Sequence, residues 1–93
     1  MIKSFKCKET EKVFKGGFSK KIPNDVQIRA LGKLKMLNRA KMLSDLKMPP
    51  ANNLEKLSGD RTGQYSIRVN KQYRICFKWF DNSAFFVEIV DYH

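Results

Sequence analysis

From Tyr65 onward, apolar and polar residues change places at every second position. Tyr65, Ile67 and Val69 alternate with Ser66 and Arg68, and Tyr73, Ile75, Phe77 and Trp79 with Arg74, Cys76 and Lys78. Phe85, Val87 and Ile89 alternate with Phe86, Glu88 and Val90. A period of two is that of a strand with one face buried. Asn70-Lys71-Gln72 and Asp81-Asn82-Ser83 supply the turns of an antiparallel meander.

The first half keeps a different period. Pro23-Asn24-Asp25 opens a helix whose Val26, Ala30, Leu34 and Leu37 share one face, flanked by Leu31 and Ala40. Met42, Leu43 and Leu46 fall on a rotated face, so a kink or a new short helix begins near Ala40. Thr10 to Lys15 reads as a short helix ended by Gly16-Gly17. Ile2 to Cys7 alternates and reads as a first strand. Pro49-Pro50-Ala51-Asn52-Asn53 cannot continue a helix and makes a linker. Ser58 to Gly63 is a loop, and Gly16-Gly17 with Lys20-Lys21 suggests a mobile segment. The expectation is an α+β fold in a single domain, 1–93, with helices packed on one face of a small antiparallel sheet. The helices should cover the Tyr65/Ile67/Val69 face, the more apolar one.

Directly opposed residues point to the same face of a sheet. Apolar meets apolar in the first hairpin if Val69 faces Tyr73 and Ile67 faces Ile75, which sets Arg68 opposite Arg74. In the second hairpin the same rule pairs Trp79 with Phe85 and Phe77 with Val87. It also brings Val90 beside Arg74 and Asp91 beside Tyr73. Two arginines opposed on an uncovered face repel each other. An anion between them resolves the repulsion; outward splaying, or a carboxylate such as Glu88, is the simpler alternative.

Charge adds to this picture. The 93 residues carry 19 Lys+Arg against 9 Asp+Glu, a formal net charge of +10. Residues 1–47 hold 13 basic and 4 acidic side chains, and residues 48–93 hold 6 and 5. Such an excess favours polyanionic partners, nucleic acid first. Seven Phe, three Tyr and one Trp supply a core and exclude a disordered chain. Apolar runs such as Phe85-Phe86-Val87 are far shorter than the ~20 residues of a membrane span. Cys7 and Cys76 have no metal-ligand spacing and His93 is the only histidine, so neither a metal nor another cofactor is expected. The amino-terminal stretch lacks the apolar core of a signal peptide, and a cytoplasmic protein with reduced thiols is expected.

The register places Asp91-Tyr92-His93 just past the last strand, close to Arg74 and Arg68. Metal-free RNA cleavage fits such a set. The attacking 2′-OH loses a proton, the developing phosphorane charge needs cations, and the departing 5′-oxygen takes a proton. Arg68 and Arg74 would be the clamp, His93 the acid or base, and Tyr92 a base-stacking ring or hydroxyl donor. A frayed tail is the bland alternative for a terminal triplet.

The stretches Leu57-Ser58-Gly59-Asp60-Arg61-Thr62-Gly63-Gln64-Tyr65-Ser66-Ile67-Arg68-Val69-Asn70, Tyr73-Arg74-Ile75-Cys76-Phe77 and Val87-Glu88-Ile89-Val90-Asp91-Tyr92-His93 resemble the HigB toxins of the RelE/ParE superfamily. The resemblance runs along nearly the whole chain. It implies a type II toxin–antitoxin toxin that enters the ribosomal A site and cuts mRNA without a metal, inhibiting translation. It implies a HigA-like helix-turn-helix antitoxin, through which alone operator DNA is bound. Carried over by motif, Arg74 binds the scissile phosphate, and Asp91, Tyr92 and His93 belong to the catalytic site. Arg61 and Arg68 match basic motif positions and, with Lys56, are the expected RNA-binding cations. Some members carry a histidine and a lysine before the Gly-Asp-Arg; here Glu55 and Ser58 stand in those places. Glu55 would serve as a base only if partly buried. The other readings are a ParE-like gyrase inhibitor and a non-catalytic basic RNA- or ribosome-binding protein.

Overall fold

A computed structural model describes residues 1–92. Two helices, α1 (Lys8–Phe14) and α2 (Asn24–Arg39), precede four strands. These are β1 (Glu55–Lys56), β2 (Tyr65–Arg68), β3 (Tyr73–Phe80) and β4 (Ser83–Asp91), antiparallel and in that spatial order. Three 3-10 turns, Leu43–Lys47, Pro50–Asn52 and Gly59–Arg61, carry the chain from α2 to the sheet. The first is the new short helix that the rotated Met42/Leu43/Leu46 face required.

α2 buries Val26, Ala30, Leu34 and Leu37 against Ile67, Val69, Ile75, Phe77 and Val87 from the sheet. Each such side chain removed from water contributes ~1.5–3 kcal/mol before chain entropy is counted. The Tyr65/Ile67/Val69 side is therefore the covered one, and Arg68, Arg74, Cys76 and Lys78 alternate onto the other. The loop after α1, whose glycines and lysines suggest mobility, is tied to α2 at one point. Ser19 is fully buried: its N–H donates to Gln27 Oε1 at 2.8 Å, and Gln27 Nε2 donates back to the Ser19 carbonyl at 2.7 Å.

The first hairpin has the expected register: Ile67 opposes Ile75, Arg68 opposes Arg74, and the Val69 N–H donates to the Tyr73 carbonyl at 2.9 Å. Asn70–Gln72 is thus a three-residue turn, closed by Asn70 Oδ1 accepting from the N–H groups of Gln72 and Tyr73. Arg74 lies beside Val90 and Asp91 beside Tyr73, also as expected.

The far end of the second hairpin differs. Trp79 pairs with Ala84 and Lys78 with Phe85, not Trp79 with Phe85. Two causes combine. Asp81 and Asn82 both have positive φ (52° and 58°) and make a two-residue turn matched to strand twist, so Ser83 belongs to β4 and pairs with Phe80. The register then shifts between Cys76 and Lys78, where Phe86, at φ 54°, adds one residue to β4. The same bulge breaks up the expected first strand. Residues 1–6 run parallel beside β4, but only Ile2 with Ala84 and Phe5 with Val87 form bridges, one on each side of Phe86. The Phe86 N–H turns to Ser4 Oγ at 2.9 Å.

Candidate active site

On the sheet face away from the helices, one cross-strand row contains Glu55, Ser66, Cys76 and Glu88, and the next contains Arg68, Arg74 and Val90. A fully exposed arginine in that place would be a loosely held cation. Arg74 is instead 8% exposed. Its Nε donates to Ser66 Oγ at 2.7 Å and its Nη2 to the Asn53 carbonyl at 2.6 Å. Nη1 lies 3.5 Å from Glu55 Oε1. The Tyr92 ring caps the guanidinium, 5.9 Å from its carbon to the ring centroid.

The chain reaches this arrangement by local means. Asn53 adopts a left-handed conformation (φ 44°) at the end of the Pro50–Asn52 turn. Its neighbour Asn52 is fully buried and ties the linker down, donating from Nδ2 to the Leu46 and Met48 carbonyls and accepting from Lys33 Nζ. The linker then enters β1, which brings Glu55 level with Ser66. Neither β1 nor the Ser66 and Asn53 anchors of Arg74 was anticipated. Ser66 was legible, since it shares the alternating face with Arg74 on the adjacent strand. Asn53 acts through a backbone carbonyl, on which the sequence is silent.

The other expected site residues divide. Tyr92 joins Arg74. Asp91, opposite Tyr73, alternates to the other side of β4 from Val90; its Oδ2 accepts from Gln72 Nε2 at 3.0 Å. Arg68 opposes Arg74 along the backbone, but the two guanidinium groups take different partners: Arg68 Nε donates to the Asn70 carbonyl at 3.1 Å. Arg61 Nη1 donates to Gln64 Oε1 at 3.2 Å and lies 3.6 Å from Glu88 Oε2. Glu88 also receives Lys6 at 3.3 Å, so it serves Arg61 and Lys6 rather than either paired arginine. Lys56 is exposed in β1, on the opposite alternation from Glu55. Glu55 is more exposed than Arg74, with 45% of its side chain open to solvent. Both cysteines are free; Cys76 is buried, and burial pushes its thiol pKa up, which leaves it a protonated floor for the site. His93 lies outside the described residues.

An anchored guanidinium, three of whose nitrogens are already directed, is suited to recognising a phosphate by its planar fork. Among the described residues, the ion-pair partner that an incoming phosphate would displace from Nη1 is Glu55, whose side chain is 45% exposed. Ser66 and Asn53 meanwhile hold the rest of the group still.

The layered fold is that of the RelE-like class of small toxins. A chain of the YoeB–YefM complex from Staphylococcus aureus superposes with a TM-score of 0.62 at 19% identity, over 100% of this chain and 98% of that one. Within the class, the family described as the RelE-like toxin of type II toxin–antitoxin system HigB matches residues 3–93, and the chain belongs to that family. It is 46% identical over 63 residues to Toxin HigB-1 of Vibrio cholerae, a match spanning 68% of this chain and 66% of that protein. It is 32% identical to Endoribonuclease HigB of Proteus vulgaris over the whole of both chains.

Proposed function

We propose that this chain is the toxin of a type II pair and cleaves mRNA in the ribosomal A site, without a metal, until an antitoxin neutralises it. The observation that carries the reading is the anchored Arg74 beneath Tyr92, on the face that the helices leave open. The full-length similarity to a protein named as an endoribonuclease supports the chemistry.

In this reading the scissile phosphate sits on Arg74 Nη1, in place of the Glu55 carboxylate. The guanidinium stabilises the extra negative charge as the 2′-oxygen attacks in line and the 5′-oxygen departs. Tyr92 stacks on a base beside the cut. His93 moves the proton, its ordinary pKa near 6.5 suiting either direction. Asp91 acts one step removed, by fixing the strand end through Gln72. Arg61, Arg68 and Lys56 contact RNA around the cut. The ribosome supplies what 93 residues do not, a template that aligns the 2′-OH. The antitoxin is HigA-like, and operator DNA is reached through its helix-turn-helix domain. The site of action is the cytoplasm; among the described residues no helix is long and apolar enough to cross a membrane.

Expression of the wild-type chain and of Arg74→Ala, followed by mapping of mRNA 5′ ends, tests the reading. Cuts in phase with codons that vanish in the variant are expected. A DNA-damage response with intact mRNA would place the protein with gyrase inhibitors. Growth arrest with neither signature would leave only a basic ribosome binder.

A further inference from the structure

At the end of the sheet, a second surface is built from cations of three separate segments. Arg29 and Lys33 come from α2, Arg68 from the end of β2, and Lys71 from the three-residue turn. They line an open groove of about 820 Å³ with the amides of Asn70 and Gln72. Among the described lining residues there is no carboxylate. Lys33 is half-buried; its ammonium donates to Asn52 Oδ1, and burial lowers its pKa. Four cations converging on one concavity repel one another, and a polyanion is the occupant that offsets this.

The groove and the candidate site share a wall. Gln72 lines the groove, its carbonyl accepts from the Tyr92 N–H at 2.7 Å, and its side-chain amide donates to Asp91. Tyr92 is in turn the cap of Arg74. Arg68 therefore has a place that the strand register alone does not reveal: its side chain lines the groove, with Nε held by the Asn70 carbonyl.

We propose that the Arg29–Lys33–Arg68–Lys71 groove binds the sugar–phosphate backbone of the RNA strand as it leaves the Arg74 site past Gln72. This rests on the nuclease reading of that site. Single-stranded RNA fits better than an acidic peptide because Gln72, which lines the groove, also holds the strand end that carries Tyr92, and because the two amides suit hydroxyl and base edges.

The test is binding of a labelled 2′-O-methyl oligoribonucleotide, which has no 2′-OH to attack, measured by anisotropy across a salt series. Each phosphate contact with a single strand contributes about −0.7 to the slope of log K against log salt. The double variant R29A/K71A, both exposed positions, should flatten the slope by about 1.4 and weaken low-salt binding several-fold. Lys71→Gln alone should give about half of that change. The control K20A/K41A removes the same charge elsewhere and should leave the slope near that of the wild type. An unchanged slope in folded R29A/K71A, or an equal loss in the control, overturns the proposal. So does poly-glutamate binding that depends on Arg29 and Lys71 while the RNA probe does not bind. Arg74→Ala separates the two ideas. If it still cleaves mRNA the active-site reading fails, whereas the salt slopes judge the groove independently.

Discussion

Ser66 and Arg74 lie on adjacent strands, and the 2.7 Å hydrogen bond from Arg74 Nε to the Ser66 hydroxyl is what turns a surface arginine into a fixed one. Both residues are buried, so the bond has no ready substitute in water. Ser66→Ala leaves a buried charged donor unpaired, at a cost of about 1–3 kcal/mol. In a domain of this size that corresponds to a fall of roughly 4–8 °C in melting temperature per kcal/mol. Cleavage should fall with it, because the phosphate-binding fork is no longer aimed. A melt and a cleavage assay that both match the wild type would show that Arg74 is held without Ser66, by its remaining partners Asn53, Glu55 and Tyr92.

Glu55 competes for the same guanidinium. Its 3.5 Å approach to Nη1 is a half-exposed ion pair, worth at most about 1 kcal/mol. Glu55→Gln should therefore tighten binding of a non-cleavable RNA up to about five-fold, and leave cleavage in place. Loss of cleavage with binding intact would identify Glu55 as the missing base instead.

The extent to which the sequence discloses this molecule follows from where its signals are written. Side-chain alternation specified the Ile67/Ile75, Arg68/Arg74 and Arg74/Val90 pairs, because a one-residue slip would bury arginine and expose isoleucine. The helical face of α2 was equally plain. The bulge was not, because Phe86 is an unlikely occupant of a left-handed backbone position, and turn or bulge signals are sought in Gly and Asn. β1 has two residues, too few to show any period. The register shows the arginines opposed along the strands, and says nothing of which groups their side chains reach. Backbone register fixes where a side chain starts, and only the neighbours Ser66, Asn53 and Asn70 decide where each guanidinium ends.

Asn52 links the stability of the linker to the site. Its amide serves two backbone carbonyls and the Lys33 ammonium from a fully buried position. Asn52→Ala orphans several buried groups at once and should destabilise by about 3 kcal/mol. It should also free the adjacent Asn53 carbonyl from Arg74. Asn52→Asp keeps the acceptor for Lys33 but loses the two donated bonds, so it should recover part of the stability at most. Denaturant unfolding of the three proteins checks this order.

Two carboxylates with lowered pKa contribute to the loss of stability in acid. Glu9 is held below its ordinary 4.5, chiefly by the hydrogen bond from the Ser19 hydroxyl. Asp45 is held below its ordinary 3.8 by the Met42 and Lys41 N–H groups. A lowered pKa in the folded chain means that the folded state prefers the anion. The stabilisation is then complete above the ordinary values and is lost as pH falls through the lowered ones. Melting temperature should drop through that acid range. The double variant E9Q/D45N should start lower at neutral pH and converge on the wild type in acid. Parallel curves would mean that other groups control acid unfolding.

Gln72 offers the clearest separation of positioning from chemistry. Among the described residues, its carbonyl accepts from Tyr92 and its side-chain amide donates to Asp91 at the strand end, and neither bonds to Arg74. Gln72→Ala removes the amide bond and keeps the backbone one, so the turn should still close through Asn70. Being exposed, the position should cost under about 0.5 kcal/mol of stability. Cleavage should nonetheless fall, through the turnover rate more than the apparent KM, since what is loosened is Asp91, and with it the strand end that carries Tyr92 beside Arg74. Gln72→Asn shortens the reach to Asp91 and should behave like the alanine variant, whereas Gln72→Arg, which spans the distance and supplies donors, should restore the rate. A loss confined to KM would assign Gln72 to RNA binding in the groove instead of to the strand end.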